Sequence, residues 1–185
     1  MNYGPFAVYI GIWEMPRGFT LLELLITVAV LSIILAFAAP SFQNVFETNK
    51  MQRLANELHG FVIEGKSEAV LQRERLWAHI IMPGSASSDG NWRIELTDNG
   101  TEGEGTVLFS FSGTPYEGIV VTPSYASDQI SFDDVYGRPS SGSIRFYPVG
   151  EPSKVLKLIS HTLSARVRVC SDSSNTEYYG YSTCS

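Results

Sequence analysis

The feature that most constrains this chain is one carboxylate near the start of a long apolar run. In Arg17-Gly18-Phe19-Thr20-Leu21-Leu22-Glu23-Leu24-Leu25-Ile26-Thr27-Val28, a base and a small residue precede an apolar stretch whose fifth residue is Glu23. From 19 to 39 the stretch is interrupted chiefly by Glu23, Thr27 and Ser32. As a helix rising about 1.5 Å per residue it is about 31 Å long, enough to cross a bilayer. An acidic group inside such a span costs about 2.5–3.5 kcal/mol at the membrane centre. A plain anchor gains nothing from it. A helix that leaves the bilayer and packs among other helices can use it to capture a positive charge.

Three readings of the run compete. A cleaved secretory signal is offered by Arg17 and by the A-x-A site Ala36-Phe37-Ala38, but the run is long for a signal core and carries Glu23 in its first third. An ordinary N-terminal anchor leaves Glu23 unexplained. The third rests on a resemblance carried by the six residues from Gly18 to Glu23.

Gly18-Phe19-Thr20-Leu21-Leu22-Glu23 resembles the class III signal of type IV pilins and type II secretion pseudopilins. The resemblance implies that a prepilin peptidase cuts after Gly18 and methylates the new N-terminal Phe19, with Glu23 as the fifth residue of the product. Pro40 falls where members of the family often carry a helix-kinking proline. Residues 1–18 are longer and more apolar than the usual leader, whereas Met15-Pro16-Arg17-Gly18 alone is a conventional one. The expected translation start is therefore Met15. After cleavage the Phe19 amine and the Glu23 carboxylate can neutralise each other, within one chain or between a newcomer and its neighbour. Breaking such a pair leaves a buried charge unpaired, which makes it an assembly latch.

Beyond Pro40 the pattern turns amphipathic. Phe42, Val45, Phe46, Leu54, Leu58, Phe61, Val62, Gly65 and Ala69 recur at three- and four-residue steps. One helix is expected to continue to about Arg73, with Gly60 and Gly65 either permitting close approach or weakening it. From Leu76 the signal changes to short β runs separated by Gly, Pro, Ser and Asn turns: 76–82, 92–96, 107–111, 119–122, 130–132, 144–147, 155–159 and 165–169. The expected fold class is α+β. A long N-terminal helix packs on an antiparallel β-sandwich-like domain of about seven or eight strands, in two sheets. The expected divisions are a leader at 1–18, an assembly helix at 19–39, an amphipathic helix at 40–75, and a β-rich domain at 76–185.

The C-terminal strands, Ser143-Ile144-Arg145-Phe146, Val155-Leu156-Lys157-Leu158-Ile159-Ser160 and Ala165-Arg166-Val167-Arg168-Val169-Cys170, resemble the GspH/FimT branch of that family. Many FimT-like members carry Gly-Arg-x-Arg before the tail, a motif tied to DNA binding in competence-linked members. Here the Arg-x-Arg is Arg166 and Arg168, and the Gly is Ala165. Arginines two apart on a strand share one face, and Arg145, Lys154 and Lys157 extend the strip. Gly supplies turn conformations that Ala resists. Tyr178, Tyr179 and Tyr181 either stack on bases or cover the core. A solvated or ion-paired strip is the plainer alternative to DNA contact.

The resemblance places the domain in the periplasm or at the surface, where oxidation is permitted, so Cys170 and Cys184 are expected to form a disulfide. Closing a loop of about 15 residues contributes about 3 kcal/mol in the chain-entropy model. The net charge of −6 argues against a general nucleic-acid binder. Two cysteines without a CxxC, three scattered histidines, and no nucleophile elbow or phosphate loop leave no candidate catalytic residue, metal site or cofactor. The sequence therefore reads as a non-enzymatic minor pilin or pseudopilin, single-pass in a bacterial inner membrane with its domain in the periplasm. Its expected partners are other pilins or pseudopilins, the prepilin peptidase, the membrane and, in the alternative reading, DNA.

Overall fold

The computed structural model describes residues 18–184, apart from the side chains of 37–41 and 43. The leader, with the expected start at Met15, lies outside the described residues. Contacts divide the chain into units 1–43 and 44–185, and α1, Leu21–Gln72, contributes to both.

In the first unit every described side chain from Leu21 to Ala36 is exposed. Among the described residues no helix is long and apolar enough to cross a membrane. The helix assignment continues through Pro40.

In the second unit, Met51, Leu54, Ala55, Leu58, Phe61, Val62 and Ala69 of α1 are buried, a three- and four-residue rhythm that turns one face to the sheets. The apolar stripe was expected to start at Phe42. Instead Phe42, Val45 and Phe46 are 59%, 53% and 71% exposed, so the core begins at Met51. Three large apolar residues before it are thus exposed.

Eight strands follow: β1 Leu76–Ile81, β2 Arg93–Thr97, β3 Val107–Ser112, β4 Ile119–Ser124, β5 Gln129–Phe132, β6 Gly142–Pro148, β7 Leu156–His161 and β8 Arg166–Ser171. They form two four-stranded antiparallel sheets, β3-β2-β1-β5 and β4-β6-β7-β8. Strands alternate as one buried face requires. In β7 Leu156, Leu158 and Ser160 are buried, and Lys157, Ile159 and His161 are not.

Among the described residues, helix α1 meets the first sheet at Phe61 and at Gly65, among other places. The Phe61 ring lies edge-on to Phe109, with centroids 5.1 Å apart. A Cβ on Gly65 would fall 2.9 Å from Phe132 Cζ and 3.4 Å from Leu96 Cδ1, whereas one on Gly60 would meet nothing within 4 Å. Gly65 therefore serves close approach and Gly60 does not. The second sheet is tied to α1 at the β7–β8 turn, where Lys66 Nζ donates to the Ala165 carbonyl at 2.8 Å.

Candidate functional site

Three places carry the residues singled out above. At the head of α1, Thr20 Oγ1 accepts the Glu23 backbone N–H at 3.2 Å, and the Thr20 carbonyl accepts the Leu24 N–H at 3.1 Å. Thr20 is thus the N-cap, which satisfies one of the amides left open at a helix start. Glu23 stands in the first turn, where the helix dipole favours a negative charge. The cap went unremarked in the sequence, although Thr-x-x-Glu is a capping-box spacing. Gly18 carries no backbone demand for glycine, since a Cβ there would meet nothing within 4 Å.

The second place is the outer face of the sheet β4-β6-β7-β8. Directly opposed residues share a face, and the register pairs Arg145 with Lys157, Ile159 with Arg168, and His161 with Arg166. Arg145, Lys157, Arg166 and Arg168 therefore lie on one surface, with Arg166 exposed and Arg168 half-buried. Asp172, just past β8, lies 2.8 Å from Arg145 Nε and 3.8 Å from Lys157 Nζ. Two of the four cations are thus held by one carboxylate that the sequence reading did not weigh. Its position, at even steps from Arg166, Arg168 and Cys170, was the available signal.

Lys154 is not with them. It pairs with Glu151 at 2.5 Å in the β6–β7 connection. Ala165, where the resembling motif has Gly, sits at φ 52. That left-handed conformation is one an L side chain resists, so β8 starts one residue later than expected, at Arg166.

The third place is the tail. Cys170 and Cys184 form a disulfide. Ser171 N–H donates to the Ser182 carbonyl at 2.8 Å and Cys184 N–H to the Ser171 carbonyl at 3.0 Å, which lays the closed loop along β8. The loop is then strapped to α1. Gln52 Nε2 donates to the Tyr179 carbonyl at 2.9 Å, Tyr179 Oη to Glu47 Oε1 at 3.2 Å, and Tyr181 Oη to Asn56 Oδ1 at 3.0 Å. Tyr178, Tyr179 and Tyr181 pack against the core, so of the two roles weighed for them the structure supports covering it.

Glu47 is held above the ordinary carboxylate range by burial and by its hydrogen bond to Glu151. Glu151 is held below that range, chiefly by Lys154. Burial and the neighbouring Glu47 push the Tyr179 hydroxyl well up. Among the described residues no group of three or more His, Cys, Asp or Glu is placed to hold a metal ion.

Residues 15–39 match a family profile described as the prokaryotic N-terminal methylation motif. Two curated relatives, each called fimbrial protein, from Pseudomonas aeruginosa, are 26% identical over 148 residues, spanning 74% of this chain and 96% of the relative. The crystal structure of the Pseudomonas aeruginosa type IV minor pilin FimU superposes with a TM-score of 0.53 at 16% identity, over 66% of this chain and 90% of that one. The minor pseudopilin EpsH from the type 2 secretion system of Vibrio cholerae gives a TM-score of 0.49 at 12% identity, over 65% of this chain and 95% of that one. The FimU likeness extends to the architecture, a helix packed on antiparallel sheets.

Proposed function

We infer that this chain, a GspH/FimT-like minor pilin, is processed after Gly18 and built into a type IV pilus through α1. The observation that carries the reading is the head of that helix. Its side chains from Leu21 to Ala36 are exposed in the single chain, and one carboxylate stands in its capped first turn. So long an apolar surface requires lipid or other helices around it. In lipid the run 19–39 anchors the precursor once across the inner membrane, with the second unit in the periplasm. In the filament the same surface packs among neighbouring helices.

Cleavage puts a new amine at Phe19, four residues before Glu23. A subunit whose Glu23 answers a neighbour's amine enters the filament without leaving a charge unpaired. Gly18 stands in open space, which supports a glycine retained for the peptidase rather than for the fold. Phe42, Val45 and Phe46 are exposed as well. The work is mechanical, and the named roles are processing at Gly18 and Phe19 and assembly at Glu23 and Pro40. Incorporation into a type II secretion pseudopilus rests on the same residues.

The test is co-expression with a prepilin peptidase, followed by N-terminal sequencing and mass measurement of the sheared filament fraction. The expected product begins at N-methylated Phe19, and Glu23→Ala is processed but missing from filaments. A product beginning after Ala38, or Glu23→Ala incorporated as wild type, overturns the reading.

A second reading, contact with DNA, is favoured by the placement of Arg166 and Arg168 on one outer face, with Arg145 and Lys157 beside them. Asp172 holds the latter two. Few phosphate contacts make binding weak and salt-sensitive. A mobility shift at low salt that persists in Arg166→Gln plus Arg168→Gln excludes it.

A further inference from the structure

Where α1 enters the core, two other elements meet it at Glu47. The buried face of the helix starts at Met51, and Glu47 stands about one turn before it, half-buried. From the tail, Tyr179 Oη donates to Glu47 Oε1 at 3.2 Å. From the β6–β7 connection comes Glu151, whose carboxyl group is hydrogen-bonded to that of Glu47. Glu151 Oε2 is out of solvent contact and lies 2.5 Å from Lys154 Nζ. The titratable and charged groups facing Glu47 are thus Glu151 and Lys154 from the connection, and Tyr179 with Tyr178 beside it from the tail. Lys50, on the same helix, donates instead to the Glu117 carbonyl.

An ionised carboxylate only accepts hydrogen bonds, so two carboxyl groups bonded to each other need one proton between them. With that proton, Glu47 is neutral and Glu151 answers Lys154. Without it, two negative groups face one ammonium, and like charges disfavour that state. Each carboxylate still keeps a partner when the proton leaves: Tyr179 for Glu47 and Lys154 for Glu151. What is lost is the bond between them, which links the connection to the helix. The connection is held at its ends, by the Val149 N–H donating to the Gly118 carbonyl at 3.0 Å and by the Asp172 N–H donating to the Val155 carbonyl at 2.9 Å. Between those ends Gly150, Pro152 and Ser153 are exposed, so 150–154 is the part that can part from α1.

We propose that Glu47 and Glu151 form a one-proton joint, which fastens the β6–β7 connection to α1 in mild acid and releases it when the proton is lost. The direction follows from the two groups. Glu47 is raised above the ordinary carboxylate range, by burial first and then by Glu151, so it keeps a proton that a free glutamate has lost. Glu151 is lowered, chiefly by Lys154, so it is already ionised and accepts that proton's hydrogen bond. The joint stays closed until pH rises through the raised value of Glu47. By proton linkage, the ratio of open to closed joints rises by up to about tenfold per pH unit between the ordinary glutamate value and the raised one, and is level above it. The sheets and the Tyr179 strap keep their bonds in both states, so the change is confined to the grip of the connection on the helix.

The experiment uses the full chain in detergent micelles. Amide exchange at Gly150, Glu151, Ser153 and Lys154 is followed from about pH 4 to about pH 8, corrected for the intrinsic pH dependence of exchange. In the wild type it is expected to be slow in acid and to rise with pH by up to about tenfold per unit before levelling, while β6 and β7 do not change. Glu47→Gln supplies an amide that donates to Glu151 and does not titrate, so exchange is expected to stay slow throughout. Lys154→Met removes the cation that favours the ionised pair, so the rise is expected to move to higher pH. A wild type without the rise, a Glu47→Gln chain that keeps it, or a Lys154→Met chain whose rise stays in place or moves to lower pH overturns the proposal. If Glu47→Gln fails to fold, the wild type and Lys154→Met decide.

Discussion

Gly60 and Gly65 lie on the same helix five residues apart, and the same change to Ala is expected to act in opposite directions at the two sites. At an exposed helical position, Gly→Ala stabilises by about 0.8–1 kcal/mol through helix propensity. Gly60 is exposed and a Cβ there meets nothing within 4 Å, so Gly60→Ala should show that full gain. At Gly65 the Cβ lands 2.9 Å from Cζ and 3.0 Å from Cε2 of Phe132, and the Phe132 side chain is 0% exposed. The ring cannot swing into solvent. Overpacking a formed core costs about 1–3 kcal/mol, which outweighs the propensity gain and leaves Gly65→Ala destabilised by up to about 2 kcal/mol. The two variants should therefore differ by about 2 kcal/mol, or about 4–8 °C in melting temperature for a chain of this size. Guanidinium and thermal unfolding in detergent, followed by near-ultraviolet circular dichroism, read both shifts. If Gly65→Ala raises the midpoint as much as Gly60→Ala does, α1 does not sit on Phe132 at the distance described, and the close-approach argument fails.

Other expectations follow from the same contacts. Ala165→Gly relieves a left-handed residue at φ 52; the folded-state gain of about 1–2 kcal/mol exceeds the roughly 0.4–1 kcal/mol lost to a more flexible unfolded chain, so a small rise in melting temperature should follow. Reducing the Cys170–Cys184 bond should cost about 3 kcal/mol and release the tyrosine strap, read as increased amide exchange over 172–184 and at the α1 face around Gln52. Glu47 has a raised folded-state pKa, from burial and from its bond to Glu151. For an acid this destabilises the fold once pH exceeds the folded pKa and has no effect below the unfolded one, so Glu47→Gln should stabilise at pH 7 and not at pH 3, by denaturation at both. Asp172→Asn removes a partner shared by Arg145 and Lys157; at these half-exposed positions it should cost under about 1 kcal/mol while raising the salt needed to elute the chain from heparin.

Local pattern carried much of the fold. Eight strands lie where β-branched and aromatic runs between turn residues put them, and α1 ends at Gln72, one residue before the expected stop. The ends of elements moved where a backbone conformation intervened, as at Ala165, whose left-handed φ delays β8. The stripe on α1 misled at its start. Phe42, Val45 and Phe46 keep helical spacing with the core residues but stand exposed, because periodicity reports a face and not what lies opposite it.

The sequence by itself determined the head of the chain. Gly18, Phe19, Thr20 and Glu23 stand within a few residues of one another, so the methylation motif is read from their order with no distant contact. The two cysteines and the Arg-x-Arg were legible for the same reason. Only the tertiary structure decided which of two glycines touches a ring, which carboxylate captures Arg145 and Lys157, and where the tyrosines go. Each of these joins groups from separate elements, such as Gly65 with Phe132 or Gln52 with Tyr179. Such pairings depend on strand order and register, which a one-dimensional pattern does not specify.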